Sequence, residues 1–166
     1  AVTNDIEIAQ VLNGSPLVQV HIFGGQLRPG SNTVVGEQVQ NAAKLMIEAG
    51  GGSIVNVSSI NGVKPAPFQG IYSITKAGLI SMTQAFAKEL ATKNIRVNAL
   101  LPGLVDTHFS KAIMENDMIY DYAVKMIPMG RHAKPMEMAG AVLYLVSDAA
   151  PFTTGASFVV DGGALA

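Results

Sequence analysis

Apolar positions in this chain fall into short unbroken runs, separated by longer stretches in which they recur at helical spacing. Leu17 to Phe23, Ser53 to Val57, Ile95 to Leu101 and Ala156 to Val160 are short runs, the second and third of the kind carried by strands buried on both faces. Gly24-Gly25, Ser58-Ser59, Pro102-Gly103 and Asp161-Gly162-Gly163 follow them. Between the first two runs, Val35, Val39, Ala42, Ala43 and Met46 repeat at helical spacing over 33–49, and Gly50-Gly51-Gly52 ends that pattern. A long helix is expected from Gly70 to about Thr92, with Ile71, Ile74, Gly78, Met82, Ala85 and Phe86 on its core face. Residues 107–127 read as partly helical, and Pro135 suits the first turn of a helix running to about Ser147. Residues 1–15 carry no assignable pattern, and Asn61 to Gln69 is a loop broken by Gly62, Pro65 and Pro67.

Strands alternating with helices in this order predict right-handed βαβ crossovers and an α/β, Rossmann-like, doubly wound parallel sheet. Such a sheet binds ligands at the carboxyl ends of its strands. Gly24-Gly25, Ser58-Ser59 and Pro102-Gly103 all belong there. The 166 residues suffice for one domain, and no repeat or linker divides them.

Composition narrows the function classes. Hydrophobic residues make up 49% and charged residues 14%, a globular balance. A net charge of -1 provides no basic excess for nucleic acid or anionic lipid. No apolar run is long enough to span a bilayer as a helix. The chain has no cysteine, which excludes disulfides and thiol chemistry and suits a reducing, cytoplasmic setting. His21, His108 and His132 do not have the spacing of a metal cluster, so no metal is expected.

The candidate chemistry centres on Tyr72 and Lys76. Four residues apart in a helix, they lie on one face. An ammonium beside a phenol favours the phenolate and lowers its pKa from about 10. A tyrosine so tuned can exchange a proton with an alcohol or a carbonyl. Ser59, thirteen residues before Tyr72, could hold the same oxygen by hydrogen bond.

Four segments, in order and correctly spaced, resemble the short-chain dehydrogenase/reductase family. They are Gly-Gly-Ser-Ile-Val-Asn-Val-Ser-Ser at 51–59, Tyr-Ser-Ile-Thr-Lys-Ala-Gly at 72–78, Ile-Arg-Val-Asn-Ala-Leu-Leu-Pro-Gly-Leu-Val-Asp-Thr at 95–107, and Thr-Gly-Ala-Ser-Phe-Val-Val-Asp-Gly-Gly at 154–163. The resemblance covers 42–163, and a bare Tyr-x-x-x-Lys alone would carry little weight. It implies Tyr72 as catalytic acid/base and a cofactor-binding residue, Lys76 as its partner and a ligand of the nicotinamide ribose, and Ser59 as the residue orienting the substrate oxygen. It implies that Pro102, Gly103, Val105 and Thr107 wrap the nicotinamide end of NAD or NADP, and that 108–130 form a variable substrate loop. The implied reaction is hydride transfer between that cofactor and an alcohol/carbonyl pair. Met114, Met118, Met126 and Met129 read as adaptable packing and, beside the site, would favour a fairly apolar substrate. The resemblance also implies a homo-oligomer, dimer or tetramer, paired through 70–93 and 156–163.

The sequence departs from the family at its N-terminal end. The motif Thr-Gly-x-x-x-Gly-x-Gly, whose glycines let a helix N-terminus approach the pyrophosphate, is absent. Leu17 to Gly25 resembles the family's fourth strand, so the sheet is expected to lack or rearrange its N-terminal strands, with 1–41 divergent or incomplete. The fourth catalytic residue of the family, an asparagine, aligns with Ser31, and Asn32 is one position away. The chain is then a piece of a longer enzyme, a natural truncation that keeps activity, or a non-catalytic homologue that no longer binds cofactor. Simpler roles compete residue by residue. Thr107 suits a helix N-cap, Ser59 a strand end, Asp161 a turn.

Overall fold

The computed structural model describes residues 5–10, 17–23 and 31–166, with side chains from Val35 onward. Five strands form one sheet in the order β1 (Asp5–Gln10), β2 (Leu17–Phe23), β3 (Gly52–Val57), β4 (Ile95–Pro102) and β5 (Ser157–Val160). β2 to β5 are parallel, and β1 pairs antiparallel with β2, Asp5 opposite Phe23 and Gln10 opposite Val18. The expected α/β sheet is present, and β1 gives a strand where no pattern was legible. It lies along the edge of β2 that would otherwise expose unpaired amides.

Helix α1 (Ser31–Glu48) links β2 to β3, and α2 (Gly70–Leu90) links β3 to β4. The segment from β4 to β5 contains α3 (Lys111–Met114), α4 (Asp117–Lys125) and α5 (Met136–Val146). Alternation along β3 shows which layer each helix joins. Ile54 packs with Val35, Val39, Ala42, Ala43 and Met46 of α1 and with Leu79 and Ala87 of α2. Val55 points the other way, to Leu145 of α5 and Leu100. Successive strand residues face opposite sides, so α1 and α2 cover one face and α5 the other.

Two expectations change. The strand order advances in one direction from β2 to β5 while the last helix changes face. The β4–β5 crossover therefore has the hand opposite to the first two, not one shared hand. The second concerns the core face of α2. Ile71 and Ile74 are 66% and 69% exposed, and the buried line is Ser73, Lys76, Leu79, Thr83 and Ala87. Polar residues fill this line because each has a fixed partner. Ser73 Oγ donates to Gln69 O at 2.8 Å, Thr83 Oγ1 accepts from Asn56 Nδ2 at 2.9 Å, and Lys76 Nζ donates to Val57 O at 3.0 Å. A satisfied polar group is tolerated in a core where an unpaired one is not.

Arg96 fastens the far layer. Its guanidinium donates to Leu145 O at 2.6 Å and Ser147 O at 3.2 Å, at the C-terminal end of α5, where a cation is favoured. Among the described residues no helix is long and apolar enough to cross a membrane.

Candidate active site

The site forms where β3 and β4 end. β3 delivers Ser58 and Ser59, and the chain then makes a 3-10 turn over Ile60–Gly62 that packs on α2. Ser58 Oγ donates to Lys76 O at 2.7 Å, and Lys76 Nζ reaches back to Val57 O. Two hydrogen bonds thus hold the middle of α2 to the end of β3. Gly62 allows this approach. A Cβ there would lie 2.8 Å from the carbonyl carbon of Lys76, too close for any side chain.

Tyr72 stands one turn before Lys76, and the ammonium lies over its ring, 5.5 Å from the centroid, within cation–π range. Burial pushes the Tyr72 phenol above its ordinary value, and a hydrogen bond with Ser59 acts in the opposite sense. This direction reverses the one expected from a Tyr–Lys pair on a helix. The cause is burial on both partners, since the same desolvation pulls the Lys76 ammonium down to about 8. The phenol is therefore protonated at neutral pH.

The second wall comes from β4. Gly103 N donates to Val160 O at 3.0 Å, and a Cβ on Gly103 would meet Asp161 Cα at 2.8 Å, so this turn sits tight against the end of β5. Val105 forms a single parallel bridge to Ala133. Thr107 N-caps a 3-10 turn over His108–Ser110, so its N-cap reading holds. That turn sets Phe109 on Tyr72, with ring centroids 5.5 Å apart and 28° between planes. Phe109 had no individual role in the sequence; its signal was its place within 108–130, the stretch that resembles a substrate loop.

Pro102, Gly103, Val105 and Thr107 follow one another at and after the end of β4, and the Lys76 ammonium lies over the Tyr72 ring. Ser59 Oγ accepts from Asn61 N at 3.1 Å, so it caps the 3-10 turn at the strand end. Asn32 lies in the first turn of α1, with its side chain outside the described residues, as are Gly24 and Gly25 entirely. His108 belongs to the 3-10 turn, whereas His132 Nδ1 pairs with Tyr120 Oη at 2.8 Å, tying α4 to the segment before α5. Asp161 accepts from Gly163 N and Leu165 N, both at 2.9 Å, which makes it a turn residue as expected. Met118, Met126 and Met129 are largely exposed and pack less than expected.

The family described as Enoyl-(Acyl carrier protein) reductase matches residues 34–164. The chain belongs to the short-chain dehydrogenase/reductase family. It is 44% identical over 124 residues to a 3-oxoacyl-(acyl-carrier-protein) reductase of Thermotoga maritima, covering 75% of this chain and 50% of that protein. Among solved structures, it resembles the L-sorbose reductase of Gluconobacter frateurii complexed with NADPH and L-sorbose, at 31% identity and a TM-score of 0.72, covering 80% of this chain and 54% of that one. A 4-hydroxyisoleucine dehydrogenase complexed with NADH matches at 31% identity and a TM-score of 0.74, covering 79% and 55%. The chain spans about half the length of the curated relatives it matches. Members of this family thus carry either nicotinamide cofactor, and the likeness does not separate the two for this chain.

Proposed function

We propose that this chain carries the catalytic half of an NAD(P)-dependent oxidoreductase that interconverts a small alcohol and its carbonyl. The observation that supports this best is the buried cluster at the strand ends. There the Lys76 ammonium lies over the Tyr72 ring, and the Ser59 hydroxyl acts on the same phenol to lower its pKa. The donor set fits the nicotinamide end of such a cofactor, with an ammonium over a phenol on α2 and the Thr107 hydroxyl on the turn after β4. Lys76 would hold the nicotinamide ribose, and the Pro102, Gly103, Val105 and Thr107 turn would wrap the nicotinamide end. A bound nicotinamide supplies or removes the hydride.

The residues of the chain do the rest. Ser59 orients the substrate oxygen. In reduction Tyr72 gives that oxygen its proton, completing the alcohol; in oxidation it takes the hydroxyl proton. A phenol held above its ordinary pKa is protonated at neutral pH, the form that reduction requires, but it is a weaker acid than a free tyrosine. For oxidation the phenolate must form, and the adjacent ammonium is the group that favours it. Tyr72→Phe should abolish turnover with little loss of fold. Normal turnover by that variant would refute the assignment of Tyr72.

A second reading is a non-catalytic homologue that keeps the fold for assembly. The exposed apolar residues of α2 and β5 favour it. NADH and NADPH titrations followed by melting temperature separate the two, because a ligand of the folded state must raise it. No shift with either cofactor favours the second reading. Under both readings self-association is proposed through α2 and β5, whose Ile71, Ile74, Phe158 and Val159 are exposed, and sedimentation velocity tests it.

A further inference from the structure

The proposed function leaves the carbonyl's substituents undefined, and the contact between Phe109 and Tyr72 bears on them. The turn that carries Phe109 is rigidly anchored. Ser110 is buried, its Oγ donates to Val105 O at 2.6 Å, and it accepts from Thr107 N at 3.0 Å. Both partners belong to the strand-end turn itself, so Phe109 is fixed relative to the site and not to a remote loop. One face of its ring stacks on Tyr72, and the side chain remains 54% exposed. An exposed aromatic on a fixed turn beside a half-buried phenol offers contact area that the folded chain does not use. The phenol hydroxyl is one bond beyond the Tyr72 ring. A substrate oxygen that reaches it therefore brings the neighbouring carbon and its substituents alongside Phe109.

We infer that Phe109 is a specificity-determining residue, whose ring forms a flat apolar wall selecting carbonyl or alcohol substrates that carry an aryl or conjugated group on the reacting carbon. This rests on the reading of Tyr72 as the proton donor. Polyhydroxylated substrates gain nothing from such a wall and lose hydration against it.

Acetophenone and hydroxyacetone serve as probes, tested on the wild-type chain, Phe109→Ala and Tyr72→Phe. Phe109→Ala should lower kcat/KM for acetophenone about fivefold, mostly through KM, the scale of one lost aromatic stack, and change the value for hydroxyacetone less than about twofold. A parallel fall for both probes, or no change for either, overturns the inference. Saturation-transfer NMR of acetophenone reads the wall without turnover. The signal should be present in the wild type and in Tyr72→Phe, which keeps the ring, and be much weaker in Phe109→Ala. If the wild type binds acetophenone through Phe109 but turns over neither probe with NADH or NADPH, the wall stands and the oxidoreductase reading falls. If turnover occurs and Phe109→Ala preserves both the acetophenone signal and the substrate ratio, the wall falls and the oxidoreductase reading stands. No acetophenone signal in the wild type overturns the wall whatever the turnover. Because Phe109 is half exposed, its removal should leave the unfolding midpoint near that of the wild type, which serves as the control for folding.

Discussion

Lys76 should make the stability of this chain rise with pH through a range where most proteins gain nothing. Its side chain is only 4% exposed, and burial lowers its ammonium from 10.5 to about 8. Between those values the unfolded chain holds a proton that the folded chain has released. The unfolded state then binds more protons, so stability increases with pH. At 1.36 kcal/mol for each pH unit, the full interval is worth about 3 kcal/mol. Below pH 8 both states carry the charge and the slope from this group vanishes. Tyr72 acts with the opposite sign. Its folded value is raised above 10.0, so the unfolded chain deprotonates first and stability falls as pH climbs through 10. A maximum just above pH 10 follows from the two together. The measurement is urea unfolding of the wild type and Lys76→Met at pH 7, 8, 9 and 10. The difference between the two proteins should be flat up to about pH 8 and then grow in favour of the wild type by about 1 kcal/mol per unit. Parallel curves across the whole range would show that Lys76 is not desolvated, and the burial argument would fail.

Three further outcomes follow from the packing. Gly62→Ala places a Cβ against the Lys76 backbone, so it should destabilise the chain by about 1–3 kcal/mol and weaken NAD(P)H binding in step, measured by unfolding and by nicotinamide fluorescence. Arg96→Met removes a guanidinium from the Leu145 and Ser147 carbonyls at the end of α5 and should cost about 2–3 kcal/mol in chemical unfolding; Arg96→Lys should recover only part of it, because an ammonium lacks the planar fork. The Arg131 guanidinium, at 2.7 and 2.8 Å, and the Lys134 amide hold Glu137 down to about 2, so its contribution is present above pH 4.5 and is lost as pH falls towards 2. Glu137→Gln should flatten that acid limb of the unfolding curve, an effect that high salt also reduces.

The exposed apolar residues on α2 show where reading the sequence succeeds and where it stops. Helix α2 was legible as a helix, because a run from Gly70 with no proline and regular apolar spacing suits nothing else. Its buried face was not, because hydrophobicity alone assigned Ile71 and Ile74 to the core. The core instead took Ser73, which bonds back to the Gln69 carbonyl one turn earlier, and Lys76 and Thr83, whose partners Val57 and Asn56 are not visible in any local pattern. β1 was missed because a short edge strand owes its existence to β2.

The sequence by itself determined the strands β2 to β5, the helices between them, the family, and the spacing that places Ser59, Tyr72 and Lys76 at strand ends. These features are local, set by apolar runs, glycines and prolines within a few residues of one another. The tertiary structure alone decided which way burial moves the Tyr72 phenol, which face α5 covers, and that Phe109 lies on Tyr72. Each depends on desolvation or on contact between segments far apart in the chain, and those energies exist only once the layers are packed.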